Sequence, residues 1–412
     1  MQGSLMWDID TSERIKNLTW WWWWWLLFIN DPSNPRRTRQ LMILWSTKDC
    51  DLIKVNDIWW RRGREIEERP IGDSPIDESA REEAPGGGAV RGGESVGDGG
   101  TERLRSCGSE GESWAGGKET RFDGMTASWF YDGKNMHDPF ILEKNDFVVR
   151  RDASGERGEL IPSSENIMTF RGGPEEYRLD IKKGAWEMHF KMTPWSAFMS
   201  KPRYKTAHYI GKYGYNILRI YGSKLSGTID REGEREEITG SAYFQKVMVN
   251  APATPWYWGT FHIEDGSYID YFNPHIGLPM GRKTEAPRSW RDRGEISLSE
   301  HAQFYSASED RVYEMQKLRI RKSWTENGLP VFRVSARSKD RGAELELVLE
   351  SYARAYWRFE QKYLRWFTSI LYYNEYPVEV RELVFKAGGR RITLDDVGMI
   401  TGNCEHTWGK LL

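Results

Sequence analysis

Residues 177–192 read YRLDIKKGAWEMHFKM. Tyr177, Leu179 and Ile181 alternate with polar neighbours, Lys183 and Gly184 supply a tight turn, and Trp186, Met188, Phe190 and Met192 alternate again. A period of two on both sides of a turn signal marks a β-hairpin with one buried face. The pattern recurs. Residues 224–229 and 236–244 flank a turn at 231–234, and 331–335 and 345–349 flank one at 340–342. Residues 261–263 and 268–272 flank Asp265-Gly266, a dipeptide that favours the primed hairpin turns. Residues 353–367 suit helix and strand equally. Consecutive hairpins with little helix predict an all-β fold, and small closed barrels are where such sheets enclose a single ligand.

A chain of 412 residues is long enough for more than one domain. Pro274, Pro279 and Pro287 interrupt the hairpins near 275–295 and divide them into two halves. Between 61 and 121, glycine and charge crowd together, a composition that cannot offset its own ordering entropy. The expected organisation is one barrel from 1–60 and 122–275, a disordered insertion at 61–121, and a second barrel at 276–412.

Lysine and arginine number 59 against 61 aspartates and glutamates, so overall charge draws the chain neither to nucleic acid nor to an anionic membrane. The 21 Trp, 19 Tyr and 16 Phe suit sheets that line an apolar cavity. Cys50, Cys107 and Cys404 are widely spaced, without a disulfide framework or zinc pattern, which fits a reducing, cytoplasmic compartment. The seven histidines show no metal-binding spacing, and neither a nucleophile elbow nor a phosphate loop is present. No metal and no cofactor are expected. Residues 20–25 are all tryptophan, continued by Leu26, Leu27, Phe28 and Ile29; the run is too short to span a bilayer and reads as a buried strand. Its alternative is an interfacial anchor, which with the insertion would give peripheral membrane contact. The basic residues among 319–322 read as a solvated strand face.

Three segments resemble the lipocalin-like superfamily of carotenoid hydratases (hydroxyneurosporene synthases), AttH-type proteins and certain fungal Diels-Alderases. They are Leu18-Thr19 with the tryptophan run, the stretch from Gly240-Ser241-Ala242-Tyr243-Phe244-Gln245 through Pro255-Trp256-Tyr257-Trp258-Gly259 to Asp265-Gly266-Ser267, and Gly402-Asn403-Cys404-Glu405-His406-Thr407-Trp408-Gly409. The resemblance implies two consecutive lipocalin-like barrels, a ligand site near their contact, and large apolar substrates such as isoprenoids or polyketides. Hydratases of that group carry an acid and a histidine soon after the second segment's first strand; here Gln245, Lys246 and Val247 stand there.

Hydrating an alkene needs a proton donor, a held water and aromatic faces that stabilise a cation, and a carboxylic acid in an apolar pocket is a suitable donor. Asp270, flanked by Tyr268, Ile269, Tyr271 and Phe272 and with His262 across its hairpin, is the candidate acid or base, although an acid in an alternating strand usually faces solvent. Tyr243 and Gln245 share a strand face and could orient substrate or water, or pair on the solvent side. Trp256 and Trp258 could stack a ligand or pack a core. Glu405 and His406 point to opposite faces, so at most one reaches a cavity. The expected partner is an apolar small molecule, converted by hydration, isomerisation or cyclisation, or merely carried.

Overall fold

The computed structural model describes residues 6–61, 66–71, 114–163, 167–196, 199, 203–251, 254–277, 295–363 and 367–411. Nearly all lie in antiparallel strands, which close into two barrels of ten and eight strands. Around the first barrel the strands run Trp186–Pro194, Glu176–Lys183, Ile167–Gly173, Gly158–Pro162, Met136–Arg151, Lys118–Tyr131, Arg39–Lys48, Trp20–Ile29, Glu234–Asn250 and Tyr213–Arg231, the last closing onto the first. Around the second they run Ala343–Ser351, Pro330–Arg337, Arg311–Trp324, His301–Ser306, Tyr268–Gly277, Trp256–Ile263, Ile400–His406 and Phe367–Ala387, which again closes. The hairpins read from the sequence are all present, and the ambiguous stretch contains the strand Ala355–Tyr363. No helix among the described residues is long and apolar enough to cross a membrane.

The division of the chain differs from the expected one. The hairpin Trp256–Ile263 with Tyr268–Gly277 belongs to the second barrel, because its outer edges pair with Ile400–His406 and His301–Ser306. The boundary therefore falls between Asn250 and Trp256 rather than near 275. Leu52–Val55 and Ile58–Arg61, assigned to the first barrel, extend the second sheet through pairing of Val55 with Phe359. Prolines and turns break a chain locally, whereas sheet membership is set by partners that can lie more than a hundred residues away, as Ile400–His406 does from Trp256–Ile263. The flanks of the expected insertion are ordered, Glu67–Pro70 pairing with residues 118–121. Residues 72–113, with Cys107, lie outside the described residues.

Trp20–Ile29 explains why so apolar a run forms a strand. Its odd-numbered side chains, from Trp21 to Ile29, enter the first barrel's core among Phe122, Phe170, Tyr177 and Phe244. Its even-numbered ones, Trp20 to Phe28, face the second barrel and meet Val55, Phe359, Trp258 and Tyr268. A strand buried on both faces has no use for alternation with polar residues. Residues 6–10 fold over the barrel end, where Met6 O accepts the Trp23 indole N–H at 2.8 Å and Asp10 O that of Trp21 at 2.9 Å. At Gly240, opposite Ile29, a Cβ would lie 1.9 Å from Phe28 O, so this close pairing requires glycine.

Polar bonds tie the barrels beyond the aromatic contact. Gln40 donates to Gly402 O at 3.0 Å and accepts from Asn403 at 3.1 Å, and Arg37 meets Glu379 at 3.1 Å. Trp25→Ala, which empties a fully buried site packed 4.7 Å from the Phe244 ring, is expected to cost about 3–5 kcal/mol. Trp59→Ala, at a side chain 50% exposed, is expected to change stability by less than about 0.5 kcal/mol. Denaturant unfolding of the two variants checks both.

Candidate functional site

Between the barrels the even-numbered face of Trp20–Ile29 bounds a cavity of about 460 Å³. Trp24 closes its inner end, with its ring 5.1 Å from Trp258 and 5.6 Å from Tyr243. Towards Trp20 the walls separate, and Tyr213 and Ile276, 48% and 38% exposed, border the space. The lining is largely apolar, from Trp20, Trp22, Trp24, Val247, Phe272, Phe359 and Leu371. Lys48, Arg219, Gln245, Tyr373 and Glu405 interrupt it.

Strand register creates the most unusual of these polar groups. Glu375 and Glu405 stand directly opposite on neighbouring strands, both buried. Two carboxylates facing each other would repel. Tyr373, two residues before Glu375 and on the same strand face, places its hydroxyl 2.7 Å from Glu405 Oε1 and in hydrogen-bond contact with Glu375 Oε1. A phenol has one proton to give, so satisfying both contacts requires a carboxyl proton on one acid. Burial supplies the driving force: desolvation pushes Glu405 up to about 7 and Glu375 well above the carboxylate range, and the Glu405 charge raises Glu375 further. The Trp256 indole N–H donates to Glu405 Oε2 at 2.5 Å and opposes part of that rise.

The same electrostatics sets a stability trend. For this pair, folded-state affinity for protons exceeds that of the unfolded chain, so its contribution to stability is greatest in mild acid and is lost as pH rises from the ordinary carboxylate range through about 7; buried histidines such as His262 contribute the opposite trend below neutral pH. Measured against the Glu375→Gln, Glu405→Gln double variant, whose side chains do not titrate and in which the histidine contributions cancel, the relative melting temperature of the wild type should decline with pH across this window.

The structure draws Gln245, Trp256, Trp258 and Glu405 of the sequence-derived candidates to the cavity. Tyr243 lies behind the wall, donating to Gln245 Oε1 at 3.1 Å and so aiming the amide. Asp270 is buried and meets Arg219 across the barrel contact, Oδ2 to Nη1 at 3.2 Å, and Arg219 also donates to the Tyr221 hydroxyl at 3.2 Å. Burial raises the Asp270 carboxyl, and Arg219 restrains it. His262 also joins the barrels. Its Nε2–H donates to Tyr221 O at 2.7 Å, Nδ1 accepts from Ser241 Oγ at 2.8 Å, and burial lowers it to about 3, so it stays neutral. It packs on Phe28 and Trp195, away from the cavity lining. His406 faces the second barrel's interior, stacked 4.7 Å on Tyr257. There Lys322 donates to the Tyr257 hydroxyl at 2.5 Å, so this lysine turns inward while Arg319 and Arg321 remain exposed.

Tyr373, Glu375, Arg219 and Lys48 were not singled out by sequence. The run Tyr372-Tyr373-Asn374-Glu375-Tyr376 held a signal, an acid set among aromatics, but the partner that changes its chemistry is thirty residues away. Arg219→Met strands the Asp270 charge and is expected to destabilise by about 3–5 kcal/mol. Adding Asp270→Asn should recover most of that loss, as a double-mutant cycle by chemical denaturation would show.

No protein-family model matches the sequence, and no curated protein sequence matches it. Solved structures do. CghA in complex with Sch210972 aligns with a TM-score of 0.51 at 8% identity, over 96% of this chain and 90% of that one. This chain shares the CghA fold. A protein assigned as an AttH from Nitrosomonas europaea aligns at 10% identity and a TM-score of 0.43, over 97% of this chain and 96% of that one. Kievitone hydratase from Nectria haematococca aligns at 11% and 0.37, over 97% and 93%.

Proposed function

We propose that the inter-barrel cavity binds a large apolar molecule, isoprenoid- or lipid-like, and that Glu405 transfers a proton to it without a cofactor. The observation that carries this reading is the pair of buried carboxyls sharing one phenol at the wall of an apolar cavity. The sequence resemblance to carotenoid hydratases and AttH-type proteins agrees with it.

When the Glu405 carboxyl gives its proton to an alkene carbon, its O–H bond breaks, a C–H bond forms, and positive charge develops on the neighbouring carbon. Trp24, Trp256 and Trp258 present π-faces or edges around that position, and the aromatic faces stabilise such charge. The carboxylate left behind is stabilised by the Trp256 N–H and the Tyr373 hydroxyl. Water adding to the cation and losing a proton to the Glu405 carboxylate gives hydration, loss of a proton from a neighbouring carbon to Glu405 gives isomerisation, and attack by a second alkene followed by the same proton loss gives cyclisation. Tyr373 links Glu405 to Glu375 and so provides a path for reprotonation. Asp270 and His262 act in this scheme through the barrel contact, Asp270 by fixing Arg219 at the cavity wall.

The second reading is a carrier without chemistry, favoured by the fact that both Glu405 oxygens already have protein partners. Incubation with isoprenoids and unsaturated lipids, followed by mass spectrometry of products, separates the two. Conversion is expected to fall by about a hundredfold or more in Glu405→Gln, with ligand quenching of tryptophan fluorescence retained. The rate should also fall as pH rises through about 7, where the acid loses its proton. Unchanged conversion in Glu405→Gln overturns the assignment of the acid; binding without conversion in the wild type selects the carrier.

A further inference from the structure

We infer that the ligand of the inter-barrel cavity carries a carboxylate at the end away from Glu405, held by Lys48; this rests on the reading of the cavity as an apolar-ligand site. Lys48 ends the strand Arg39–Lys48, stands opposite Trp20 and lines the cavity. Its ammonium lies 4.6 Å from the centre of the Trp20 ring, with Ile53 and Phe359 also lining this region. Among the described residues no carboxylate lies within ion-pair distance of it. Asp123 borders the adjoining hollow, but lies 3.9 Å from Lys144.

An indole face compensates a cation only in part, and burial lowers Lys48 to about 8 although the neighbouring Cys50 thiol opposes the shift, so its charge is retained at neutral pH at a cost. The other cation of the cavity differs in this respect, since Arg219 has Asp270 at 3.2 Å. A purely hydrocarbon ligand would shield Lys48 further from water and deepen that cost. A carboxylate would supply the missing counter-charge. A diphosphate would bring more negative charge than one ammonium offsets.

The cavity's two ends also set the ligand's length. Trp20 and Trp24 lie four residues apart on one strand, which places their side chains about 13 Å apart. Trp24 pairs with Gln245 and touches Trp258, whose strand neighbour is Glu405. The ligand is thus an amphiphile with its acid at the Trp20 end and its unsaturated, reacting part deep along the tryptophan face.

Fluorescence titration of the full chain at neutral pH with geranylgeranoic acid and geranylgeraniol, which share a chain and differ at the head, tests this. The acid is expected to bind roughly tenfold more tightly, a typical return for a charge-assisted contact. Lys48→Met and Lys48→Gln, each checked by thermal melting, should abolish the preference, weakening the acid's binding and tightening that of the alcohol, which no longer covers a charge. Equal binding of the two by the wild type, or a preference that survives in a folded variant, overturns the carboxylate inference and leaves the apolar-ligand reading intact. Binding of neither molecule overturns both.

Discussion

Ten consecutive large apolar side chains, Trp20–Ile29, have to be kept from water on both faces of a single strand. One barrel covers one face and leaves the other bare. The first barrel takes up Trp21, Trp23 and Trp25, and the second barrel is what Trp20, Trp22 and Trp24 require. The contact between barrels is therefore an extension of the hydrophobic core, and inter-barrel links such as Arg219 with Asp270, His262 with Tyr221, Arg37 with Glu379, and Gln40 with Gly402 are polar fastenings on that aromatic seam.

The cavity arises where this seam is left unfilled. Tryptophans are bulky and rigid, so walls built from them meet well at Trp24 and Trp258 but leave space towards Trp20. The low polarity of such a space keeps protons on acids. Glu405 and Glu375 show the consequence, holding a proton that both would surrender in water. The cost appears as reduced stability above neutral pH, and the same desolvation makes Glu405 a suitable donor.

Some of this was legible in residues alone. Alternation around Lys183-Gly184 and Asp265-Gly266 gave the hairpins, because side-chain period and turn geometry depend on neighbours in the chain. The tryptophan run read as a buried strand for the same reason. Trp256, Trp258, Gln245 and Glu405 were recognised as candidates and do line the cavity; the first three share one short stretch of sequence, and Glu405 stands in a second one, beside His406 and Trp408. Asp270 carried the right local signature, an acid among aromatics, yet its role depends on Arg219 from the other barrel, which no nearby residue announces.

The sequence by itself determined which segments become strands, where they turn, and that they need an apolar partner on one or both faces. Tertiary structure alone decided which strands share a barrel, sending the Trp256–Ile263 hairpin to the second one, and which side chains meet across sheets. Register placed Glu375 opposite Glu405 and left Lys48 at the far end of the same cavity. Local pattern is a property of adjacent residues, whereas a shifted pKa is a property of what surrounds a group in space, and those surroundings are assembled only when distant strands pair.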